Sequence, residues 1–274
     1  RTQDLVISPN FGQDHTLFAA TRFNGVLKST DSGASWSEVN SGMGITNVLS
    51  LSVSPAYEND HTLFAGTVSG GIFRSQDSGV SWQKMRNVEQ NRKAIAIKVA
   101  PDFATSRQVF AINHSIGISL SQDGGLTWES RIKGLPAPWE VNNLSISPNY
   151  ANDRTIFAVA WNGIFRTTDS GVNWAQTLSG YSGFRFVAVS PTYASDHTVF
   201  AALDACSDPG VSMLKSTDAG VSWSPVTTNL VTCGLKSAVM SPSYASDQTL
   251  LVSDEWRGIM RSTDGGATWT WPKQ

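Results

Sequence analysis

An eight-residue segment that returns six times at a nearly fixed interval is the feature that most constrains this chain. The segment, here called the box, reads [Ser/Thr]-x-Asp-x-Gly-x-x-Trp and first occurs at residues 29–36. Six units of about 46 residues account for all 274 residues, which indicates one repeated architecture. The box aspartates, 46, 46, 46, 49 and 46 residues apart, are Asp31, Asp77, Asp123, Asp169, Asp218 and Asp264.

Each unit contains four short segments that are typical of β-strands. In the second unit they are residues 48–53, 62–68, 72–74 and 80–85, separated by a proline loop, a glycine turn and the box. Four such strands form an antiparallel meander, which cannot bury its faces until neighbouring meanders stack against it. The sequence therefore predicts an all-β, six-bladed β-propeller in one domain, 1–274. Its blades are expected at 1–40, 41–87, 88–133, 134–179, 180–227 and 228–274.

The box residues suit a structural turn. A short aspartate side chain accepts backbone N–H bonds in a turn, and glycine adopts the positive φ angle that such turns require. The box tryptophans are expected in equivalent, half-buried places between blades.

The box resembles the Asp-box (BNR) repeat of sialidases, the sortilin ectodomain, xyloglucan-cleaving glycosidases and photosystem II assembly factors, and the resemblance covers every unit. It implies a propeller fold and leaves activity open. A sialidase would also carry an Arg-Ile-Pro motif, which this sequence lacks, and the photosystem assembly factors are expected to have seven blades.

Composition excludes several classes of function. Only 15% of residues are charged and the net charge is -2, so no basic surface for nucleic acid is expected. No apolar run approaches the roughly 18 residues that would cross a bilayer. No Cys/His cluster has metal-ligand spacing and no glycine-rich phosphate loop occurs, so no metal or cofactor is predicted.

The two cysteines lie in irregular segments of the fifth and sixth units. Cys206 belongs to the loop that lengthens one box spacing to 49 residues, and Cys233 follows in the next connection. Both are expected at the same end of the strands, which predicts a disulfide and hence a secreted, periplasmic or cell-surface location.

The repeat argues against a catalytic role for the Asp-His pairs of this chain. The dyads Asp14-His15, Asp60-His61 and Asp196-His197 suggest a general base, but the other units place Arg107, Arg154 and Gln248 at the histidine position. No catalytic residue is therefore assigned. An alternative remains open, a sialidase-like or xyloglucanase-like glycoside hydrolase whose carboxylates would come from Asp204, Asp254, Glu255 and Glu140.

The loops that vary between units are the better candidates for function. Loops joining second to third strands and blade to blade open on one side of the sheets, here called the top face, and the boxes open on the other. Aromatic and arginine side chains are favoured at binding hot spots. The predicted binding residues are Arg22, Trp161, Asp204, Glu255, Trp256 and Arg257.

The sequence thus favours a non-enzymatic binding or scaffolding propeller that presents its top face to a protein or a glycan. Self-association within a larger assembly is a further option, and neither a nucleic-acid partner nor membrane insertion is expected.

Overall fold

The computed structural model describes residues 1–86, 93–204, 211–226, 230, 232 and 234–271, without the side chain of Trp139. It divides into two compact units, 1–131 and 132–274, and each contains three antiparallel sheets. Both predicted disulfide partners, Cys206 and Cys233, lie outside the described residues, so the bridge stays a prediction.

Each sheet of the first unit takes its strands from one uninterrupted segment and pairs them in chain order. The strands are β1 (Thr2–Ile7), β2 (Leu17–Thr21), β3 (Val26–Ser29), β4 (Ser37–Glu38), β5 (Val48–Val53), β6 (Leu63–Thr67), β7 (Ile72–Ser75), β8 (Gln83–Lys84), β9 (Ala94–Val99), β10 (Val109–Asn113), β11 (Gly117–Ser121) and β12 (Glu129–Ser130).

The second unit follows the same order after a 3-10 turn at Pro138–Glu140. In its last sheet the fourth segment is represented by one bridge, Arg261 with Thr270. The strands are β13 (Val141–Ile146), β14 (Ile156–Ala160), β15 (Gly163–Thr167), β16 (Ala175–Leu178), β17 (Phe184–Val189), β18 (Val199–Leu203), β19 (Met213–Ser216), β20 (Ser224–Pro225), β21 (Leu235–Met240), β22 (Leu250–Asp254) and β23 (Gly258–Ser262). Six consecutive meanders make the fold a six-bladed β-propeller, which confirms the predicted fold class.

One helical turn joins the first and second strands of every blade, where the sequence suggested only a loop. These turns are α1 (Phe11–Asp14), α2 (Tyr57–Asp60), α3 (Phe103–Ser106), α4 (Tyr150–Asp153), α5 (Tyr193–Asp196) and α6 (Tyr244–Asp247). The residue after each turn has a left-handed backbone, as at His61 (φ 49°). In five blades its side chain lies against the aromatic residue that begins the turn. The rings of Tyr57 and His61 are 5.9 Å apart, and the Arg154 guanidinium lies 5.0 Å from the centre of the Tyr150 ring. Histidine and arginine both make this contact, which explains why the two alternate at this position.

The box aspartate is the centre of a hydrogen-bonded turn. Asp31 accepts bonds from the Ser29 hydroxyl (2.7 Å) and from the backbone N–H of Ser35 (2.9 Å). The Ser29 hydroxyl also accepts the N–H of Gly33, whose φ is 91°. Bonds from Ser35 and Ser29 lower the pKa of Asp31 to about 2, and equivalent bonds give Asp218 and Asp264 the same value.

We expect stability to fall between pH 4 and pH 2. These three carboxyls have folded-state pKa values below the ordinary 3.8, so the stability they add is present above pH 3.8 and is lost as pH falls toward 2. Burial raises the pKa of Asp4 and gives an opposing slope from that group. Urea unfolding at pH 5, 4, 3 and 2.5 should show the decline, with a shallower slope for Asp218→Asn. A flat or rising profile would contradict the assignment.

Side chains from neighbouring blades form the core of each unit. Phe18 and Val26 of the first blade are buried with Leu51, Tyr57 and Trp82 of the second. The same arrangement recurs between the second and third, the fourth and fifth, and the fifth and sixth blades. Packing between successive sheets therefore stabilises each unit, as the stacking argument required.

The box tryptophans are not equivalent, contrary to the expectation from their identical motif. Trp82 is 5% exposed and its indole N–H donates to the carbonyl of Val39 in the first blade, 2.8 Å away. Trp174 and Trp269 are also buried, whereas Trp36 is 39% exposed. Trp82 thus packs toward the preceding blade, whereas the indole N–H of Trp36 donates to the carbonyl of Gly33 in its own box, 3.0 Å away.

Candidate functional site

A β-bulge lies at the top-face end of the first strand in every blade. Pairing between the first two strands skips one residue at this point, leaving it outside the ladder. Bulges re-aim side chains and are common beside functional sites. The skipped residues are Gln3, Leu49, Ile95, Asn142, Arg185 and Lys236.

In the second unit, one bulge residue joins two predicted binding residues in a cluster. The Arg185 guanidinium binds the Asp204 carboxylate at 2.8 Å and lies 6.0 Å from the centre of the Trp161 ring. The N–H of Gly183 donates to the Trp161 carbonyl and the N–H of Asp204 donates to the Gly183 carbonyl, at 2.7 and 2.9 Å. These bonds hold the upper loops of the fourth and fifth blades together. The cluster offers a half-exposed indole beside an ion pair.

The upper loop of the sixth blade is built around a buried carboxylate. Asp254, at the end of β22, accepts a hydrogen bond from the Thr232 hydroxyl and bonds from the backbone N–H groups of Trp256 (2.8 Å) and Arg257 (2.7 Å). Burial alone would raise the pKa of Asp254, but these bonds and the Arg257 charge hold it below its ordinary value. Asp254 is therefore an ionised anchor for the loop.

This anchored loop projects the most exposed tryptophan among the described residues. Trp256 is 78% exposed, although its backbone is fixed by Asp254. On either side of it, Glu255 binds the bulge residue Lys236 at 2.5 Å, and the Arg257 guanidinium lies 5.9 Å from the centre of the Trp271 ring. Because this loop is already fixed, it loses little conformational entropy when a partner binds. A solvent-facing indole is also a residue type that is common at binding hot spots.

Arg22 is the one predicted binding residue in the first unit. It is exposed and lies 5.3 Å over the ring of Phe23, which is exposed as well. The structure therefore brings Trp161 and Asp204 together through Arg185, and Glu255, Trp256 and Arg257 together on one loop. Sequence reasoning missed Thr232 and Lys236 as members of the site.

Three of the four carboxylates that the hydrolase alternative would use are bonded to neighbouring groups. Asp204 binds Arg185, Asp254 anchors its own loop, and Glu255 binds Lys236. A glycosidase general acid needs a raised pKa, and that of Asp254 is lowered. Glu140 is partly buried, and its backbone carbonyl accepts the Trp161 N–H.

A groove of about 340 Å³ lies away from these loops, between the boxes of the fifth and sixth blades. Its wall includes Lys215, which lies 3.5 Å from the Gly265 carbonyl, and Asp264, which is bonded within its box. Lys215 thus contacts the neighbouring blade, and Asp264 stabilises its own turn.

Comparison with known proteins supports the fold. No family model matches this chain, and no curated protein matches it in sequence. Among solved structures it is similar to a GH74 xyloglucanase from Xanthomonas campestris, with a TM-score of 0.75 and 16% identity over 98% of this chain and 45% of the other. It is similar to YCF48 bound to D1 peptide, with a TM-score of 0.66 and 14% identity over 98% of this chain and 80% of the other.

A third similar structure is the extracellular domain of a hybrid two-component system from B. thetaiotaomicron, with a TM-score of 0.70 and 14% identity over 96% of this chain and 32% of the other. The chain spans less than half the length of the GH74 structures that it matches. At these identities the likeness defines the class of protein by fold, a β-propeller. Among the described residues, no helix has the length and apolar character needed to span a membrane.

Proposed function

We propose that this chain is an Asp-box propeller that binds a protein or a glycan through its upper loops and catalyses no reaction. The observation that carries the proposal is Trp256, whose side chain is 78% exposed on a loop that the buried Asp254 carboxylate anchors. The Trp161–Arg185–Asp204 cluster supplies a second indole together with paired charges. Flat aromatic rings beside charged groups suit both sugar stacking and protein hot spots.

The engaged carboxylates favour binding over hydrolysis. Asp254 accepts three hydrogen bonds and is held ionised, and Asp204 and Glu255 each pair with a cation. Glycoside cleavage needs a protonated acid, and the lowered pKa of Asp254 does not suit that role.

We place the protein outside the cytoplasm, in a secreted, periplasmic or cell-surface location. The predicted Cys206–Cys233 disulfide requires an oxidising compartment. One structure with the same fold is described as an extracellular domain, and another as bound to a peptide, which makes both settings compatible with this fold.

A Trp161→Ala, Trp256→Ala double variant is expected to lose binding and keep its melting temperature. Each indole is partly exposed, so truncation leaves the core intact, whereas removing hot-spot residues worth about 2 kcal/mol weakens binding roughly thirtyfold. Fluorescently labelled wild-type chain on glycan and peptide arrays identifies the ligand, and titration with that ligand measures the loss.

Trp36→Ala is the matched control, because it also removes an exposed tryptophan but lies in a box. Undiminished binding by the double variant would contradict the choice of surface. Xyloglucan oligosaccharides provide the test for the hydrolase alternative: turnover by the wild-type chain that is abolished by Glu255→Gln would overturn the non-enzymatic proposal.

A further inference from the structure

The groove between the fifth and sixth blades, both of which belong to the second unit, is separate from the upper loops. It lies on the box side of these blades and has a volume of about 340 Å³. Protein sites for small molecules range from about 300 to 1,000 Å³, so this groove suits a metabolite-sized ligand better than a length of polypeptide. Its wall is formed by Lys215, Thr217, residues 224–226, Asp264, Gly265 and Ala267.

Two side chains that border this groove are shorter than their counterparts in the other blade interfaces within the units. Pro225 lies on the outer strand of the fifth blade, and Ala267 lies in the box of the sixth. In the other interfaces the outer-strand position holds a long polar residue, and the box position holds a valine or a leucine. The groove is therefore a local departure from the repeat. The counterparts are Glu38 and Val80, Lys84 and Leu126, and Gln176 and Val221.

The groove carries a cation that has hydrogen-bond donors to spare. The Lys215 ammonium lies 3.5 Å from the Gly265 carbonyl, whereas Arg74, at this position in the second blade, reaches its carbonyl partner at 2.7 Å. An ammonium has three N–H donors, so this one long hydrogen bond leaves others for a ligand. The hydroxyls of Thr217 and Ser224 lie in the same wall, and neither has a hydrogen-bond partner among the described residues.

The groove also carries an anion that does not pair with this cation. Asp264 is exposed, and bonds from Thr268 and Ser262 lower its pKa to about 2, so its carboxylate is ionised at neutral pH. Lys215 and Asp264 form no ion pair with each other. A ligand with a single charge is attracted by one of these groups and repelled by the other. A ligand that carries both charges can satisfy both groups.

We propose that this groove binds a small zwitterion with an aliphatic side chain, such as a free amino acid. The carboxylate of the ligand accepts hydrogen bonds from Lys215 and the two hydroxyls, its ammonium lies beside Asp264, and its side chain packs against Val226 and Ala267. The apolar part of the wall favours an aliphatic side chain over a polyhydroxylated ligand, because burying apolar surface stabilises the complex. This inference is independent of the proposed binding function, which uses the upper loops.

Titration calorimetry with L-leucine and two of its analogues tests the requirement for both charges. The wild-type chain should bind L-leucine saturably, with one site per chain. Isoamylamine lacks the carboxylate and isocaproate lacks the ammonium, so each should bind at least about tenfold more weakly, because a charged hydrogen bond is lost. Absence of saturable L-leucine binding would overturn the proposal, and so would equal affinity for either analogue.

Ala267→Val tests the location, because it restores the residue that three other boxes carry at this position. It should keep its melting temperature and bind L-leucine about tenfold more weakly, since the added methyl groups occupy the groove. Pro225→Gln, which copies the fourth blade, is a second variant with the same expected loss. Ala34→Val is the matched control, because it makes the same change in the first box, outside the groove wall, and should bind like the wild type. Full binding by both groove variants, or an equal loss in the control, would overturn the proposal.

Discussion

Trp82→Ala should lower the free energy of unfolding by about 3–5 kcal/mol, because it empties a closed space between the first and second blades. The substitution also leaves the Val39 carbonyl without the indole N–H that bonds to it at 2.8 Å. Urea unfolding followed by far-UV circular dichroism measures the shift in midpoint.

Trp36→Ala is the natural control for this result. Trp36 occupies the same box position but is 39% exposed, so its loss should cost about 1 kcal/mol or less. Equal losses at the two positions would show that both indoles are covered alike, contrary to the structure.

A second large loss in the free energy of unfolding is expected when Asp254 is replaced. Asp254→Ala removes the acceptor for the Thr232 hydroxyl and for the backbone N–H groups of Trp256 and Arg257, within a loop where Thr232 and Asp254 are buried. Unpaired buried donors cost about 1–3 kcal/mol each, and partial hydration of the relaxed loop reduces the sum, so we expect about 2–4 kcal/mol. Thermal unfolding and ligand titration should both register the change, because Trp256 loses its support.

Asp204→Ala serves as the comparison. Asp204 pairs with Arg185, whose side chain is 41% exposed, and an ion pair of this kind contributes about 0–1 kcal/mol. A larger loss at Asp204 than at Asp254 would mean that the ion pair, and not the loop anchor, stabilises the top face.

The sequence was sufficient for the blade count because the information is local and repeated. Each box is a short hydrogen-bonded turn, and its spacing leaves room for four strands. The strand bulges were also encoded, since apolar residues in the first strands recur at intervals of three and then two, as in Val48, Leu51 and Val53. That break in alternation was overlooked because a period of two was expected along the whole strand.

The rest depends on partners that are distant in the chain. Nothing local couples Lys236 to Glu255 or Arg185 to Asp204, because each pair joins a first strand to the loop that follows the second. The exposure of Trp36 is equally invisible in its motif. The six boxes have the same pattern, yet the exposed fraction of the indole ranges from 2% at Trp269 to 39% at Trp36.

The recurring bulge has a consequence for how such a chain can diversify. A residue that stands outside the ladder can be exchanged without shifting the register of the strands behind it, so mutation at that place leaves the architecture unchanged. Six copies of the repeat supply six places of this kind, and they already hold amide, aliphatic and cationic side chains: Gln3, Leu49, Ile95, Asn142, Arg185 and Lys236. New binding specificity can therefore arise at these positions one substitution at a time, because the fold tolerates many side chains there.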